Sequence, residues 1–261
     1  YGFTTQAELD ANFLFTSPLV DPLVFRTFEA EAVDSMEFGL KTDLYDGRAR
    51  ANIAIFSYDY ENLQFQATDP IPYQGGVANI PESEMSGVEI EFTALASDNI
   101  TFDMNLGFIS SEVSSDFNVL DNVLAFQYFF GEESLRYDLR ENVNGNELAK
   151  TPDFTADISM IYETVLSSGN SLTSVLQFVK RGEFMQRVNN NPLVDVVPAY
   201  QIFNISVGID FKNDLSLDFI LLNASDEDGL NSAMTDVFGV AATGLEYIPP
   251  RQMMTRLSYK F

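Results

Sequence analysis

The sequence is built from amphipathic stretches whose connections alternate strictly between short and long, and few folds accept that arrangement. Side chains alternate with a period of two at 33–45, 48–66, 86–95, 100–110, 154–162, 200–211, 215–223 and 253–261, and with 172–181, where both faces carry apolar residues, they predict nine strands. Met36, Phe38, Leu40 and Leu44 share one face of the first, and Glu37, Gly39, Lys41 and Asp43 share the other. Short connections fall at Asp46-Gly47, a strong tight-hairpin signal, at Ser97-Asp98-Asn99, at 167–170 and at Lys212-Asn213-Asp214. Long ones fall at 67–85, 112–150, 183–199 and 224–247, with 1–32 ahead of the first strand. A soluble sandwich has no reason to sort its loops by length. A transmembrane barrel does, because its turns are short on the periplasmic side and its loops long on the extracellular side.

The two faces of the strands support the same reading. One face is Leu, Ile, Val, Phe, Met and Ala, with Tyr and Phe near strand ends as in an interfacial girdle. The other carries Lys41, Asp43, Glu89, Glu91, Asp103, Asp157, Asp210 and Arg256, charges that a dry core could not hold unpaired but a water-filled or plugged lumen could. No apolar run approaches the about 20 residues that a membrane helix needs. The net charge of −25 argues against nucleic acid, whose phosphates need a basic footprint. Neither Cys nor His is present, which closes off disulfides, thiolate chemistry, His-based triads and the commonest zinc ligand. The predicted fold is all-β, an antiparallel transmembrane β-barrel, and the predicted chain is not an enzyme. Nine strands are odd where single-chain bacterial barrels have even numbers. No signal peptide is visible, and counting strands back from a periplasmic C-terminus leaves 1–32 outside the cell. These three points lead us to expect the C-terminal part of something longer.

Several motifs then resemble one family. The run Phe28 to Lys41, with Glu37-Phe38-Gly39-Leu40-Lys41 at its end, is similar to a recurring segment of TonB-dependent outer-membrane receptors, although Ala30 stands where that family usually has proline. Asp46-Gly47-Arg48 with Asn52, Phe56, Tyr58, Tyr60, Asn62 and Gln64 resembles the hairpin that follows in the family. Ser86-Gly87-Val88-Glu89-Ile90-Glu91, Asn223-Ala224-Ser225-Asp226-Glu227, and Pro250-Arg251 with the terminal Phe261 resemble later family segments, in family order. The resemblance implies a 22-stranded barrel filled by an N-terminal plug, in the outer membrane of a Gram-negative bacterium, that takes up a scarce ligand of the siderophore, cobalamin or glycan class with energy relayed by TonB. Residues 33–261 would supply about nine C-terminal strands, without plug or TonB box, so that TonB is reached only through an N-terminal region not in this sequence. Met253, Leu257, Tyr259 and Phe261 on the closing strand resemble the signal read by the barrel-assembly machinery.

Other readings stay open at this stage. A self-contained small barrel with a structural or adhesive role would use the same strands, and a soluble acidic carbohydrate-binding β-protein would use the same alternation. The acidic stretch 112–150, with Asp116, Asp121, Glu132, Glu133, Asp138, Glu141 and Glu147 among Phe126, Tyr128, Phe129 and Phe130, fits a ligand lid, a calcium site or a solvated loop. Gln177, Lys180, Arg181, Arg187 and Arg251 could meet an anionic ligand, neighbouring carboxylates or lipopolysaccharide phosphates. No cofactor is expected. The expected partners are outer-membrane lipid, lipopolysaccharide and a small extracellular ligand.

Overall fold

A computed structural model describes residues 28–68, 75–121, 123–124, 140–236 and 242–261. In chain order the strands are β1 (Ala32–Leu44), β2 (Ala49–Thr68), β3 (Gly75–Ser97), β4 (Ile100–Val113), β5 (Asn118–Leu120), β6 (Arg140–Asn142), β7 (Phe154–Val165), β8 (Ser171–Arg181), β9 (Phe184–Met185), β10 (Val196–Val197), β11 (Tyr200–Asp210), β12 (Leu215–Leu222), β13 (Leu230–Thr235), β14 (Thr243–Tyr247) and β15 (Gln252–Tyr259). Nine of them form one antiparallel sheet in the order β1-β2-β3-β4-β7-β8-β11-β12-β15, each next to its sequence neighbour in that sheet. The other six make three two-stranded ribbons, β5-β6, β9-β10 and β13-β14, inside the long connections.

Register decides what the sheet shows on each side, because directly opposed residues point to the same face. One line of partners crosses all nine strands, Leu44–Ala49–Ala94–Phe102–Met160–Leu176–Ile205–Leu221–Met253, and every member is apolar. Parallel lines such as Leu40–Ile53–Ile90–Leu106 and Phe38–Ile55–Val88–Phe108 extend this face, and many of its large side chains are exposed, Met36 to 77% and Phe38 to 72%. From Met36 to Leu44 the strand climbs about 26 Å at about 3.3 Å per residue. At the usual barrel tilt of about 35–45° this gives an apolar band about 20 Å tall, close to the roughly 25 Å such barrels present to lipid. The band stops sharply. One step above Met36–Ser57–Ser86–Ser110 lies Asp34–Asp59–Glu84–Glu112, four exposed carboxylates on neighbouring strands of the same face.

The four short turns, at 45–48, 98–99, 166–170 and 211–214, lie together at one end of the sheet. The turn expected over Asp46-Gly47 is wider than a two-residue hairpin. Leu44 pairs with Ala49, and Tyr45, Asp46 and Gly47 all take positive φ, so left-handed backbone rather than a primed two-residue turn reverses the chain.

The long connections depart most from expectation. The stretch 67–85, expected as loop, is mostly strand: β2 runs to Thr68 and β3 starts at Gly75, with Leu63 opposite Ile80 and Ala67 opposite Gly76. Proline suggested loop, but Pro81 falls at an interruption in the ladder, between the pairs Glu61–Glu82 and Leu63–Ile80. Opposite it Asn62 has φ 59° and its carbonyl accepts from Asn79 Nδ2 at 2.6 Å, so the missing proline N–H breaks no ladder bond. The ribbons likewise replace parts of the loops expected at 112–150, 183–199 and 224–247. Residues 1–27 of the first loop, and Glu132, Glu133, Asp138, Phe126, Tyr128, Phe129 and Phe130 of the acidic stretch, lie outside the described residues. Burial is concentrated where the sheet runs into these connections: Ile80 of β3 and Val113 of β4 pack with Val119, Val143, Leu148 and Val188 in one apolar core, and Phe184, Val197 and Ala233 form a second.

Phe56, only 8% exposed, lies over Gly87 of the next strand on the face opposite the apolar band. A Cβ on Gly87 would stand 2.5 Å from that ring and 2.6 Å from the Phe108 carbonyl oxygen. Since the backbone oxygen cannot yield without breaking the β3-β4 ladder, Gly87→Val is expected to cost about 1–3 kcal/mol. Heat-modifiability of the full-length protein on gels checks this, the variant giving less of the compact band than wild type.

Candidate functional site: the polar face and the loop layer

Behind the apolar band, the second face of the sheet gathers the charges singled out in the sequence. Lys41–Asn52–Glu91–Asn105–Asp157 and Asp43–Arg50–Thr93–Asp103–Ser159–Gln177–Asn204 are lines of direct partners. Glu89 is opposite Ala54 and Gly107, Asp210 opposite Ser171 and Ser216, and Arg256 opposite Asp218, all on this same face. Hydrogen bonds join neighbours along it. Arg50 Nε donates to Asp43 at 2.8 Å, Asn52 to Glu91 at 2.9 Å, Thr93 to Asp103 at 2.7 Å, Ser216 to Asp210 at 2.6 Å and Arg256 to Asp218 at 2.9 Å. A longer chain starts at Asp157, which accepts two bonds from Gln177 Nε2; Gln177 Oε1 accepts from Asn204, and Asn204 Oδ1 accepts from the Asn223 backbone at 2.9 Å. Asn223 in turn ties the end of β12 to the carbonyls of Glu227 and Pro249. At the far edge Met253, Leu257 and Tyr259 lie on the apolar face of β15, and the Tyr259 and Phe261 rings meet edge to face at 5.2 Å.

Above the long-loop end the ribbons are held by buried polar groups. Arg187 donates to Asp195 through Nε at 2.6 Å and Nη2 at 3.1 Å, and to Asp121 through Nη1 at 3.2 Å; both carboxylates have side chains 0% exposed. Asn191 supplies one bond to each, from Nδ2 to Asp121 and from its backbone N–H to Asp195. Burial pushes the Asp195 carboxyl above its usual range, more than the Arg187 guanidinium draws it down. By contrast Asp116 is held below the usual range by bonds from Asn142 and Asn144. Arg181 has no carboxylate partner among the described residues. Its guanidinium lies 4.6 Å from the rings of both Phe184 and Tyr200 and donates to the carbonyls of Pro198, Leu230 and Asn231, fixing β8 to the ribbons.

Between these ribbons and the top of the sheet is a cavity of about 290 Å³, walled by Phe65, Val119, Leu120, Val188 and Ala233 with Lys150, Gln186 and Thr235. The four cations and one amide suspected of meeting a ligand thus have distinct places. Arg187 and Arg251 pair with carboxylates, the latter with Asp226 at 3.2 Å; Arg181 is caged by rings and carbonyls; Gln177 bonds Asp157; and Lys180 lies over the Phe154 ring at 5.7 Å on the apolar face. Among the described residues no three acidic side chains converge as a metal site. Asp195 and Gln186 were not singled out in the sequence, since nothing in the spacing of one Asp or Gln inside a loop signals burial.

The chain matches the family described as TonB dependent receptor-like, beta-barrel, over residues 2–224. It belongs to that family. The siderophore receptor PiuA from Acinetobacter baumannii is similar at 19% identity and a TM-score of 0.65, covering 88% of this chain and 28% of its own. The ferric yersiniabactin uptake receptor FyuA from Yersinia pestis follows at 17% and 0.68, with 90% and 30% covered, and the ferric citrate transporter FecA in its unliganded form at 17% and 0.61, with 88% and 31%. The chain therefore spans less than a third of the length of these receptors. Its sheet is a nine-stranded arc of an antiparallel transmembrane β-barrel, as the alternation of loop lengths predicts.

In this barrel arc the Asp121–Arg187–Asp195 cluster is the most exacting element of the loop layer. Arg187→Met leaves two buried carboxylates facing each other and is expected to lose about 3–5 kcal/mol of local stability. Asp195→Asn costs less, since Asp121 still neutralises Arg187. Because Asp195 holds its proton more tightly folded than unfolded, its contribution is full below about pH 4 and is lost as pH rises through the raised value. Hydrogen exchange over 186–195 checks both points: protection collapses in Arg187→Met, and the part of its pH slope due to Asp195 disappears in Asp195→Asn.

Proposed function

We propose that the chain is part of an outer-membrane receptor for TonB-energised uptake of a scarce ligand and carries out no enzymatic reaction. The observation that carries this reading is the sheet itself, with an apolar line unbroken over nine strands on one face and linked charges on the other. On this reading the apolar face meets lipid, and Lys41, Asp43, Glu89, Glu91, Asp103, Asp157, Asp210 and Arg256 line the lumen. The short turns are periplasmic and the ribbons extracellular, with the carboxylate line Asp34–Asp59–Glu84–Glu112 marking the height at which hydrocarbon gives way to headgroups and lipopolysaccharide, since unpaired carboxylates are costly in hydrocarbon. Contact with TonB belongs to a region N-terminal to this barrel portion. The similar receptors are named for siderophores, ferric yersiniabactin and ferric citrate, which favours a metal chelate as cargo.

Two measurements test the proposal. Cells producing the full-length receptor are expected to accumulate a radiolabelled ferric chelate, from a panel of citrate and catecholate complexes, and to fall to background when TonB is deleted; equal accumulation without TonB refutes energised uptake. Separately, Met253, Leu257, Tyr259 and Phe261 are proposed to form the assembly signal. Removal of Phe261, which lies beyond the last ladder pair at Tyr259, is expected to lower the folded fraction in outer membranes without altering the purified barrel's thermal stability. An unchanged folded fraction would show that the terminal ring is only lipid contact.

A further inference from the structure

The chain leaves β6 through Asn142-Val143-Asn144-Gly145-Asn146, three asparagines of which only the middle one precedes glycine. Asparagine is among the thermally labile residues of proteins, because the next backbone nitrogen can attack its side-chain amide carbon. A side chain on the following residue hinders that approach, and glycine has none. Asn144-Gly145 is the one Asn-Gly step in the sequence, and both residues are exposed. The fold nonetheless ties down both reacting groups. Gly145, at φ 81°, donates its N–H to the Val113 carbonyl at 2.8 Å, so the nitrogen that would attack is held against the end of β4. Asn144 Nδ2 donates to Asp116 Oδ1 at 3.1 Å, and Asn142 Nδ2 donates to the same oxygen at 3.0 Å. An ionised carboxylate only accepts, which fixes the orientation of both amides. Val143 between them is buried in the first apolar core, and its N–H donates to the Phe117 carbonyl at 2.9 Å. The loop is therefore seated on the segment that carries Asp116.

We propose that Asn144 is a deamidation site guarded by Asp116: when the ribbon opens locally Asn144 is converted, and the carboxylate it gains faces Asp116 and keeps the β5-β6 ribbon from closing again. In the first step the Gly145 nitrogen gives its proton to hydroxide and bonds to Asn144 Cγ. The Cγ–Nδ2 bond breaks, the departing nitrogen takes a proton from water, and ammonia leaves behind a cyclic imide. Water then opens the ring at either carbonyl, giving aspartate or isoaspartate. Water and hydroxide are the only co-reactants. The product replaces a donor 3.1 Å from Asp116 with a second carboxylate, and like charges at that distance repel. The disturbance reaches the next long connection, because Asn146 Nδ2 donates to the Val188 carbonyl at 2.8 Å and the Glu147 N–H donates to Asn190 Oδ1 at 2.7 Å.

The test is peptide mass spectrometry of the full-length receptor, incubated in detergent in mildly alkaline buffer and sampled over time. Tryptic cleavage after Arg140 and Lys150 releases 141–150 with all three asparagines, so Asn142 and Asn146 serve as internal controls. In urea-unfolded receptor, conversion is expected to be fast at Asn144 and slow at the other two; in the folded receptor it is expected to be slow at all three, since it waits on local opening. Asp116→Ala is expected to speed conversion of Asn144 in the folded receptor about tenfold, the worth of one hydrogen bond to a charged group, with heat-modifiability showing that the variant is folded. Equal rates at Asn144 in wild type and Asp116→Ala, or in folded and unfolded protein, overturn the proposal, as does conversion of Asn142 or Asn146 at the rate of Asn144. Hydrogen exchange over 113–120 and 140–147 reads the consequence. Asn144→Asp is expected to lose protection there, and Asn144→Asp combined with Asp116→Asn, which sets a donor opposite the new carboxylate, to regain it. Unchanged protection in Asn144→Asp, or a loss that the double variant does not reverse, refutes the charge repulsion. None of these readouts involves TonB or cargo, so they stand apart from the uptake measurement.

Discussion

The backbone ladder is the constraint on which the rest of this structure depends. In hydrocarbon no water is available to satisfy an exposed N–H or C=O, so each strand must be paired along its length, and pairing fixes register. Because side chains alternate with a period of two, a slip of one residue would turn a whole strand inside out. The line from Leu44 to Met253 shows the outcome: each of nine strands presents an apolar residue at the same height. With one face fixed in this way, the polar face has no freedom of its own. Asp157, Gln177 and Asn204 meet because their apolar neighbours Ile158, Phe178 and Phe203 meet.

That dependence explains what could be read from the sequence. Alternation is a local signal, so the nine strands, their faces and the grouping of Lys41, Glu89, Glu91 and Asp157 on one of them were all legible before any coordinates. The family segments gain physical meaning in the same frame. Asn223 stands where β12 leaves the sheet, and its side chain bonds three backbone groups across the departing loops, a task that an aliphatic residue could not perform.

What escaped the sequence lies in the long connections. There the period-two signal gives way to turns, and proline at Pro81 suggested a loop where the chain continues as strand around a single interruption. Short ribbons of two to six residues carry too few alternations to stand out. The buried ion cluster escaped for another reason. Arg187 lies 66 positions from Asp121 and 8 from Asp195, and nothing local distinguishes the three from the many exposed charges of an acidic chain. The sequence leaves Arg187 open to an anionic ligand, neighbouring carboxylates or lipopolysaccharide phosphates; in the structure it pairs with the carboxylates of Asp121 and Asp195.

The same cluster couples loops that the sequence keeps apart. Arg187 and Asp195 come from one long connection and Asp121 from another, while Gln186 reaches a third through Thr235. Grafting any one of these loops from a relative would strand a charge or an amide in a dry interior. Three segments far apart in sequence are thus physically coupled, so that no one of them can be exchanged without disturbing the packing of the other two.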